Sequence, residues 1–148
     1  MGLPRTWSGR GNHPINCVDW QQAETYCHAE GKRLPSEEEW EWAARGTTQA
    51  RVYPWGGDAP GGQLCWSGVQ KRDGTCAVGS YPQGDAPGGI HDLAGNVWEW
   101  TSSSWEADHV YRGGSWHSEV ATHPRAAERS RGSVPYRLYF VGFRCVAK

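Results

Sequence analysis

The sequence predicts an α+β domain in which two short helices precede a small sheet and long loops connect the elements. Helix-start signals fall within the first third of the chain, and most apolar segments suited to strands follow residue 96. The 148 residues include 20 Gly and 9 Pro, a composition that indicates many turns. The 10 Trp must supply burial that few aliphatic residues can, so we expect a loop-rich fold with an aromatic core.

The first helix is predicted at residues 19–31. A short apolar strand at 15–18 leads into Asp19, which together with Gln22 has the spacing of a capping box. Gly31 is suited to end the helix, because glycine readily adopts the left-handed backbone conformation found there. The apolar spacing places one face in the core, made of Ala23, Tyr26 and Cys27.

The second helix is predicted at residues 36–46. It starts with a capping box of Ser36 and Glu39 and ends at Gly46. Its buried stripe is predicted to consist of Trp40, Ala43 and Ala44. The acid run at 37–39 suits the positive end of a helix dipole, so it predicts a solvated helix start rather than a metal site.

We interpret residues 15–148 as a single domain preceded by a coil segment at 1–14. The net charge is -1, so no overall field draws the chain to nucleic acid or to an anionic membrane. No apolar run is long enough to span a membrane, and no charged start followed by an apolar stretch marks a secretory signal peptide. The sequence leaves the cell compartment and the oligomeric state open.

Residues 47–87 contain successive turn signals and no sustained hydrophobic period. Further along the chain, strands are predicted at 97–101, 110–112 and 143–147. The segment 116–141 between the last two is polar and turn-rich, and it ends in a mixture of aromatic residues and Arg. Two interpretations fit that ending: an ordinary core strand, or an exposed surface with the composition of a binding hot spot.

The segment 88–101 combines two acids, an Asn, Gly and two Trp. Carboxylate, amide and backbone carbonyl oxygens are the ligands that suit Ca²⁺. The alternative is a tight turn between two core strands, in which Asp92 and Asn96 make only local hydrogen bonds to the backbone.

The same segment resembles the central motif of the formylglycine-generating enzyme, or sulfatase-modifying factor, family. The resembling sequence is Gly-Ile-His-Asp-Leu-Ala-Gly-Asn-Val-Trp-Glu-Trp-Thr, at 89–101. Further segments carry the resemblance in the family's order, at 18–46, at 53–56, and at 112–116 with 142–145. The resemblance implies a C-type lectin-like fold with two helices, a small twisted antiparallel sheet and long ordered loops. Family members usually carry further strands upstream, so we interpret the chain as a minimal version of the fold or a fragment.

The resemblance also implies one structural calcium ion. Its expected ligands are the side chains of Asp92 and Glu99 and the carbonyls of Gly95 and Val97. Relatives often carry a second calcium site built on an Asn, where this chain has Cys65. We hypothesise that a bridge between Cys65 and Cys76 replaces that ion, which leaves Asp73 as a lone candidate ligand.

Five Cys allow at most two disulfides. The resemblance implies a bond between Cys27 and Cys145 that joins the first helix to the last strand. Cys65 and Cys76 bracket a loop rich in Gly and charge and are the natural second pair, which leaves Cys17 over. The alternative is a cytosolic protein in which all five are reduced and most are buried thiols.

Active enzymes of the family oxidise a cysteine of sulfatases to formylglycine, and they hold copper with two cysteines that follow the Gly-Gly-Ser motif. In this chain those positions carry Ser118 and His123. Copper(I) needs thiolate or thioether ligands, so this departure removes the reaction centre. An alternative is a site for another metal, in which His117 and His123 are joined by His109 or His91.

The segment 116–141 also resembles the variable region of proteins diversified by retroelements, in which residues between fixed positions form the ligand surface. The predicted ligand-binding residues are His117, Ser118, Ser130, Arg131, Ser133, Tyr136, Leu138, Tyr139 and Phe140. The fixed positions, expected to be buried or hydrogen-bonded, are Trp116, Arg125, Phe143 and Arg144. The sequence therefore predicts a non-catalytic, calcium-stabilised domain that binds a protein or peptide. The alternative is a metal-dependent oxidase of the same family acting on a protein or thiol substrate.

Overall fold

The computed structural model describes residues 9–148, so the first part of the predicted coil 1–14 lies outside the described residues. The helices of this part are α1 (Trp20–Ala29) and α2 (Glu37–Arg45), with one short 3₁₀ helix at Pro82–Gly84. Its strands are β1 (Trp98–Trp105), β2 (Asp108–Arg112), β3 (Arg129–Gly132) and β4 (Val141–Gly142). The predicted α+β class is confirmed.

The four strands form one sheet in the order β3-β2-β1-β4. β1 pairs antiparallel with β2, and β2 pairs antiparallel with β3. β4 instead runs parallel to β1, with Val141 opposite Trp98. The sheet is therefore mixed and not purely antiparallel as expected, because the loop at 133–140 carries the chain back to the starting end of β1.

Two predicted strands do not form. Residues 15–18 have no strand pairing, although the Ile15 carbonyl lies so close to β4 that a Cβ on Gly142 would come within 2.1 Å of it. Any side chain at Gly142 would collide with this backbone. Of residues 143–147, only Val146 is paired, in an isolated bridge with Arg33.

α1 begins with the predicted capping box. The Asp19 side chain accepts a hydrogen bond from the Gln22 backbone, and the Gln22 side chain accepts one from the Asp19 N–H. Ala23 and Cys27 are fully buried in the core. Tyr26 does not share this face as predicted: it is 55% exposed, and its ring meets Phe143 edge-on at 5.7 Å. The buried stripe of α1 is therefore narrower than its spacing indicates.

α2 also has its predicted capping box, formed by Ser36 and Glu39, and its C-cap is Gly46 at φ +73°. Trp40 and Ala44 are buried, while Ala43 is half-buried. This face packs the helix against the loop that carries the central motif.

The acid run at the start of α2 is not solvated throughout. Glu37 is only 8% exposed, and it accepts hydrogen bonds from Arg112 at 2.8 Å and from Arg129 at 2.6 Å. Burial by itself raises the pKa of Glu37, but the two guanidinium groups outweigh burial and hold that pKa below its ordinary value. The prediction of a solvated helix start is wrong for Glu37, while Glu38 and Glu39 are exposed.

Aromatic residues form the centre of the core, as the composition predicts. Trp98, Trp100 and Tyr111 pack with the buried side of α1 in one cluster. Trp100 and Tyr111 meet edge-to-face with ring centroids 5.2 Å apart. A second cluster surrounds Trp40 of α2, and a third joins Leu64 and Trp66 of the long loop to Ala94.

Two disulfides fasten the loops to this core. Cys27–Cys145 ties α1 to the segment after β4, and Cys65–Cys76 closes a loop within the turn-rich region. Asn96 fixes the second bridge, because its side chain accepts from the Cys76 N–H at 3.0 Å and donates to the Cys76 carbonyl at 3.1 Å. Among residues 9–148, no helix is long and apolar enough to cross a membrane.

Candidate functional site

The turn after β2 positions the two residues that stand where active relatives are expected to carry cysteines. Gly113, at φ +106°, passes so close to the Leu93 carbonyl that a Cβ would come within 2.9 Å of it. Beyond it, the Ser115 N–H donates to Ser118 Oγ at 3.0 Å, and the Ser118 N–H donates to the Ser115 carbonyl at 3.1 Å. This turn points the Ser118 hydroxyl inward, and Ser118 is only 5% exposed.

Ser118 and His123 lie together. Ser118 Oγ is 3.2 Å from Nδ1 of His123, whose ring centroid is 5.5 Å from that of Trp98. A hydroxyl and an imidazole are not the soft ligands that copper(I) needs, so these residues do not fit the copper site of the active enzymes. Within residues 9–148, no carboxylate pairs with His123 to orient it, as a Ser–His nucleophile would require.

The other His residues considered as metal ligands have separate contacts. His109 stacks on Trp20 with ring centroids 3.7 Å apart, and His91 Nδ1 lies 2.8 Å from Asp85. His117 is exposed. In the described part of the chain, no group of three or more His, Cys, Asp or Glu side chains is placed to hold a metal. The alternative His site is therefore not assembled there.

The two acids predicted to bind calcium line one cavity of about 250 Å³. Asp92 has a left-handed backbone at φ +56°, and its Oδ2 accepts a hydrogen bond from the Gly79 N–H at 2.8 Å. Glu99 is only 4% exposed. Val97 also lines the cavity, whereas Gly95 is not part of its lining.

Glu99 already has charged and neutral partners. Arg144 donates to both of its oxygens, each at 2.7 Å, and the Trp40 indole donates at 2.7 Å. Burial lowers the pKa of Arg144, but the charges of Glu99 and Asp92 outweigh burial and raise it. Asp92 Oδ1 accepts no hydrogen bond within residues 9–148, and Glu99 Oε1 accepts one. Carboxylate oxygens with unused acceptor positions suit a hard cation such as Ca²⁺. The Arg144 guanidinium competes with such an ion for the negative charge of Glu99.

Four aromatic rings of the predicted ligand segment form a cluster. His117 stacks near Phe140 at 6.3 Å and meets Trp116 and Tyr139 edge-on at 5.3 and 5.7 Å. Tyr139 is 48% exposed. Tyr136, three residues earlier, is 54% exposed, and within residues 9–148 its ring stacks on none of these four. Leu138 and Phe140 are half-buried and pack against the core. We call His117, Tyr136, Tyr139 and Phe140 the aromatic surface.

Three predicted ligand residues lie apart from this aromatic surface. Ser130 and Arg131 are on β3, at the edge of the sheet opposite β4, and Ser133 follows β3. Arg131 donates to Glu106 at 2.7 Å and lies over the Trp105 ring at 4.8 Å. The predicted surface is thus divided between two edges of the sheet.

Two further expectations differ from the structure. Ser118 is buried and cannot contribute an exposed contact, because its hydroxyl closes the turn described above. Arg125 was expected to be buried or hydrogen-bonded, but its side chain is exposed. What holds this position is its backbone, whose N–H donates to the Thr122 carbonyl at 3.2 Å. Trp116 is buried and Arg144 is hydrogen-bonded, in line with their assignment as fixed positions.

The fold and the motif positions define a domain of the formylglycine-generating enzyme type. The chain belongs to the family described as the sulfatase-modifying factor enzyme 1-like domain, whose model matches residues 2–148. It is 40% identical over 152 residues to the inactive C-alpha-formylglycine-generating enzyme 2 of Bos taurus, covering 90% of this chain and 50% of that protein. It is 35% identical over 169 residues to the formylglycine-generating enzyme of Mus musculus, covering 93% and 45%. The chain spans about half the length of these relatives.

Solved structures show the same fold at low identity. Treponema denticola variable protein 1 has a TM-score of 0.77 at 22% identity, covering 96% of this chain and 73% of that one. PvdO from Pseudomonas aeruginosa has a TM-score of 0.77 at 23% identity, covering 89% and 60%. The Major Tropism Determinant P3c variant has a TM-score of 0.65 at 15% identity, covering 97% and 41%. These similarities confirm the predicted C-type lectin-like architecture.

The partners of Glu99 were not predicted from the sequence. Glu99 stands between Trp98 and Trp100 in a strand, and a carboxylate in such a strand needs a cation once it is buried. The sequence therefore contained a signal for a partner, but it did not identify Arg144 or the Trp40 indole as the groups that supply it.

Proposed function

We propose that this chain is a non-catalytic binding domain that uses the aromatic surface to bind a protein or peptide. The observation that carries the proposal is the contact between the buried Ser118 and the half-buried His123. It occupies the positions where the active enzymes are expected to hold copper, and it offers neither thiolate nor thioether. The 40% identity to a relative named as inactive supports the same conclusion.

The aromatic surface has the composition of a binding hot spot. Tyr136 and Tyr139 present large, stiff rings at 54% and 48% exposure, so they can bury apolar area with little loss of side-chain freedom. The backbone at Tyr139 is held in place, because its carbonyl accepts a hydrogen bond from the Asn16 side chain. A rigid surface of this kind loses less entropy on binding than a mobile one.

We further propose that calcium stabilises the scaffold at Asp92 and Glu99, with the backbone carbonyl of Val97 as a further oxygen ligand from the same cavity. The ion would supply positive charge to an acidic loop and exert no catalytic effect. The Cys65–Cys76 bridge, fixed by Asn96, takes over the task of a second ion in holding the neighbouring loop.

Diversification by a retroelement is a separate proposal about the same surface. It predicts that gene copies from different isolates differ mainly at the codons of His117, Tyr136, Tyr139 and Phe140 and agree at Trp116 and Arg144. Sequencing those copies tests it, and substitutions spread evenly along the chain would contradict it.

The binding proposal is tested by selecting random twelve-residue peptides on the purified protein and measuring the enriched peptides by calorimetry. We expect saturable binding that weakens at least tenfold in Tyr139→Ala. A matched control is Val69→Ala, which changes another exposed apolar residue outside the aromatic surface. Equal loss in both variants, or oxygen consumption by copper-loaded protein with a thiol peptide, would overturn the proposal and favour the oxidase.

A further inference from the structure

A surface groove of about 380 Å³ lies between the second half of α2 and the turn at 46–50. Trp42 lines it and is 61% exposed, whereas the other Trp residues of the described chain are buried or half-buried. The buried face of α2 carries Glu37, Trp40 and Ala44, so Trp42 points away from the core. The groove shares no lining residue with the aromatic surface, and Ser118 does not line it.

The turn that forms the second wall is fixed by the backbone. The Arg51 N–H donates to the Arg45 carbonyl at 3.1 Å, which closes the turn across Gly46 at φ +73°. Ala50 also has a left-handed backbone, at φ +47°. Thr47 and Thr48 line the groove on this wall.

The charges of the groove leave one carboxylate uncompensated. Both oxygens of Glu41 are engaged, one by Arg45 at 2.8 Å and the other by Arg112 at 3.0 Å. Glu38 is exposed and makes no ion pair with any residue in 9–148. It precedes Trp42 by one helical turn, so the carboxylate and the indole are neighbours on one helix face. The carbonyl end of α2 adds negative partial charge to the same place.

We propose that this groove binds the ammonium group of a lysine side chain from a partner protein. The cation would lie over the face of Trp42, which attracts positive charge through its ring electrons, with the Glu38 carboxylate beside it. The hydroxyls of Thr47 and Thr48 can accept the remaining N–H bonds. The Arg45 guanidinium also lines the groove, but it is paired with Glu41 at 2.8 Å. The groove thus offers an aromatic ring, the free negative charge of Glu38 and neutral acceptors, a combination that favours an alkylammonium over a neutral or anionic group.

The test follows the indole N–H resonance of Trp42 by two-dimensional NMR, assigned by its loss in Trp42→Phe. The probe is an acetylated and amidated Gly-Lys-Gly peptide, and its control is the same peptide with Nε-acetyllysine, which keeps the backbone and the aliphatic chain but replaces the ammonium with a neutral amide. We expect a saturable shift with the lysine peptide and at least fivefold weaker binding of the acetyllysine peptide. Glu38→Gln should weaken lysine binding roughly two- to fivefold, as expected for one exposed charge contact.

Glu30→Gln is the matched control, because it removes an exposed carboxylate from the end of α1 and should leave the titration unchanged. Equal binding of the acetyllysine peptide, no shift of Trp42, or no effect of Glu38→Gln would each overturn the proposal. Choline serves as a third probe: if it binds more tightly than the lysine peptide, the groove takes a free quaternary amine and the assignment to a partner protein is wrong. Both variants change exposed side chains, so their folding can be verified by an unchanged melting temperature.

Discussion

The Ser118 hydroxyl lies 3.2 Å from Nδ1 of His123, at two positions where active relatives are expected to carry a pair of cysteines. The loop therefore brings these two positions together although neither of them carries a thiol. Substitutions can test whether the position of the two side chains is sufficient for copper binding once thiols are supplied.

Restoring two thiols should restore copper binding. We expect Ser118→Cys combined with His123→Cys to bind one equivalent of copper(I), because thiolates at adjacent positions are suitable soft ligands. Titration against a chromogenic copper(I) chelator measures this, with each single variant as a control. If the wild-type chain competes for copper(I) as well as the double variant does, the proposal that Ser118 and His123 cannot hold copper is wrong.

Two neighbouring acids of α2 should differ strongly in their effect on stability. Glu37→Gln removes the carboxylate that Arg112 and Arg129 share and leaves the buried Arg112 with Glu41 as its remaining charged partner, so it should lower the free energy of unfolding by about 3 kcal/mol, the lower end of the range for a broken buried ion pair. Glu38→Gln changes an exposed residue and should stay within about 0.5 kcal/mol. Urea denaturation of both variants measures the difference, and similar values for the two would contradict the burial of Glu37.

The free energy of unfolding should fall in mildly acidic solution, because protonation of His109 is disfavoured in the folded chain. Burial lowers the pKa of His109 below its ordinary value of 6.5, while the backbone of Ser103 and the charges of Glu24 and Asp108 oppose the shift. The unfolded chain therefore binds the proton more readily than the folded chain does. The stabilisation that neutral His109 provides is complete above pH 6.5, and it is lost as the pH falls through the pKa of His109 in the folded chain. The Nδ1 atom of His109 is buried and lacks a hydrogen-bond partner within residues 9–148, which agrees with a disfavoured imidazolium.

The measurement is the melting temperature at pH 7.5 and at pH 5.5. We expect a drop in the wild type and a smaller drop in His109→Phe, which keeps a ring against Trp20 but cannot titrate. His13 also has a pKa lowered by burial and by Arg10, so His13→Asn controls for the second titrating group. Identical drops in the wild type and in His109→Phe would exclude His109 as the source.

Calcium removal should lower the melting temperature if the proposed ion is bound, since a ligand of the folded state stabilises it by mass action. Asp92→Asn is the informative variant, because Asn can still accept the hydrogen bond from Gly79 while losing the charge. Glu99→Gln would be ambiguous, as it also weakens the contacts with Arg144 and Trp40. An unchanged wild-type melt in chelator would remove the calcium proposal, and an equal shift in Asp92→Asn would place the ion elsewhere.

The two helices could be predicted because their signals are local. Asp19 with Gln22, and Ser36 with Glu39, are capping boxes that depend only on residues within one turn. The position of β4 could not be predicted in the same way. Its pairing with β1 is parallel and joins residues about forty apart, so nothing near Val141 in the sequence specifies it.

The site was predictable in position but not in its contacts. The motifs identified Ser118 and His123 and the acids at 92 and 99 without indicating which groups would meet them. The partners come from distant elements: Arg144 for Glu99, and Arg112 for Glu37. Long-range ion pairs of this kind follow from tertiary packing, because the charge of a buried carboxylate reveals that a cation is needed but not which one.

If the aromatic surface binds peptides, Tyr139 and Phe143 should have opposite effects on stability and on binding. Tyr139→Ala should leave the free energy of unfolding within about 0.5 kcal/mol, as for ordinary surface changes, because the ring is 48% exposed. Phe143→Ala should lower it by about 3 kcal/mol, the lower end of the range for a buried aromatic residue, since this half-buried ring packs against the main core cluster. Peptide binding should show the reverse order, with a large loss in Tyr139→Ala and a small one in Phe143→Ala. Denaturation and calorimetry on the same preparations measure both quantities. If Tyr139→Ala destabilises the fold as much as Phe143→Ala does, the ring at 139 is part of the core and the aromatic surface is not a binding site.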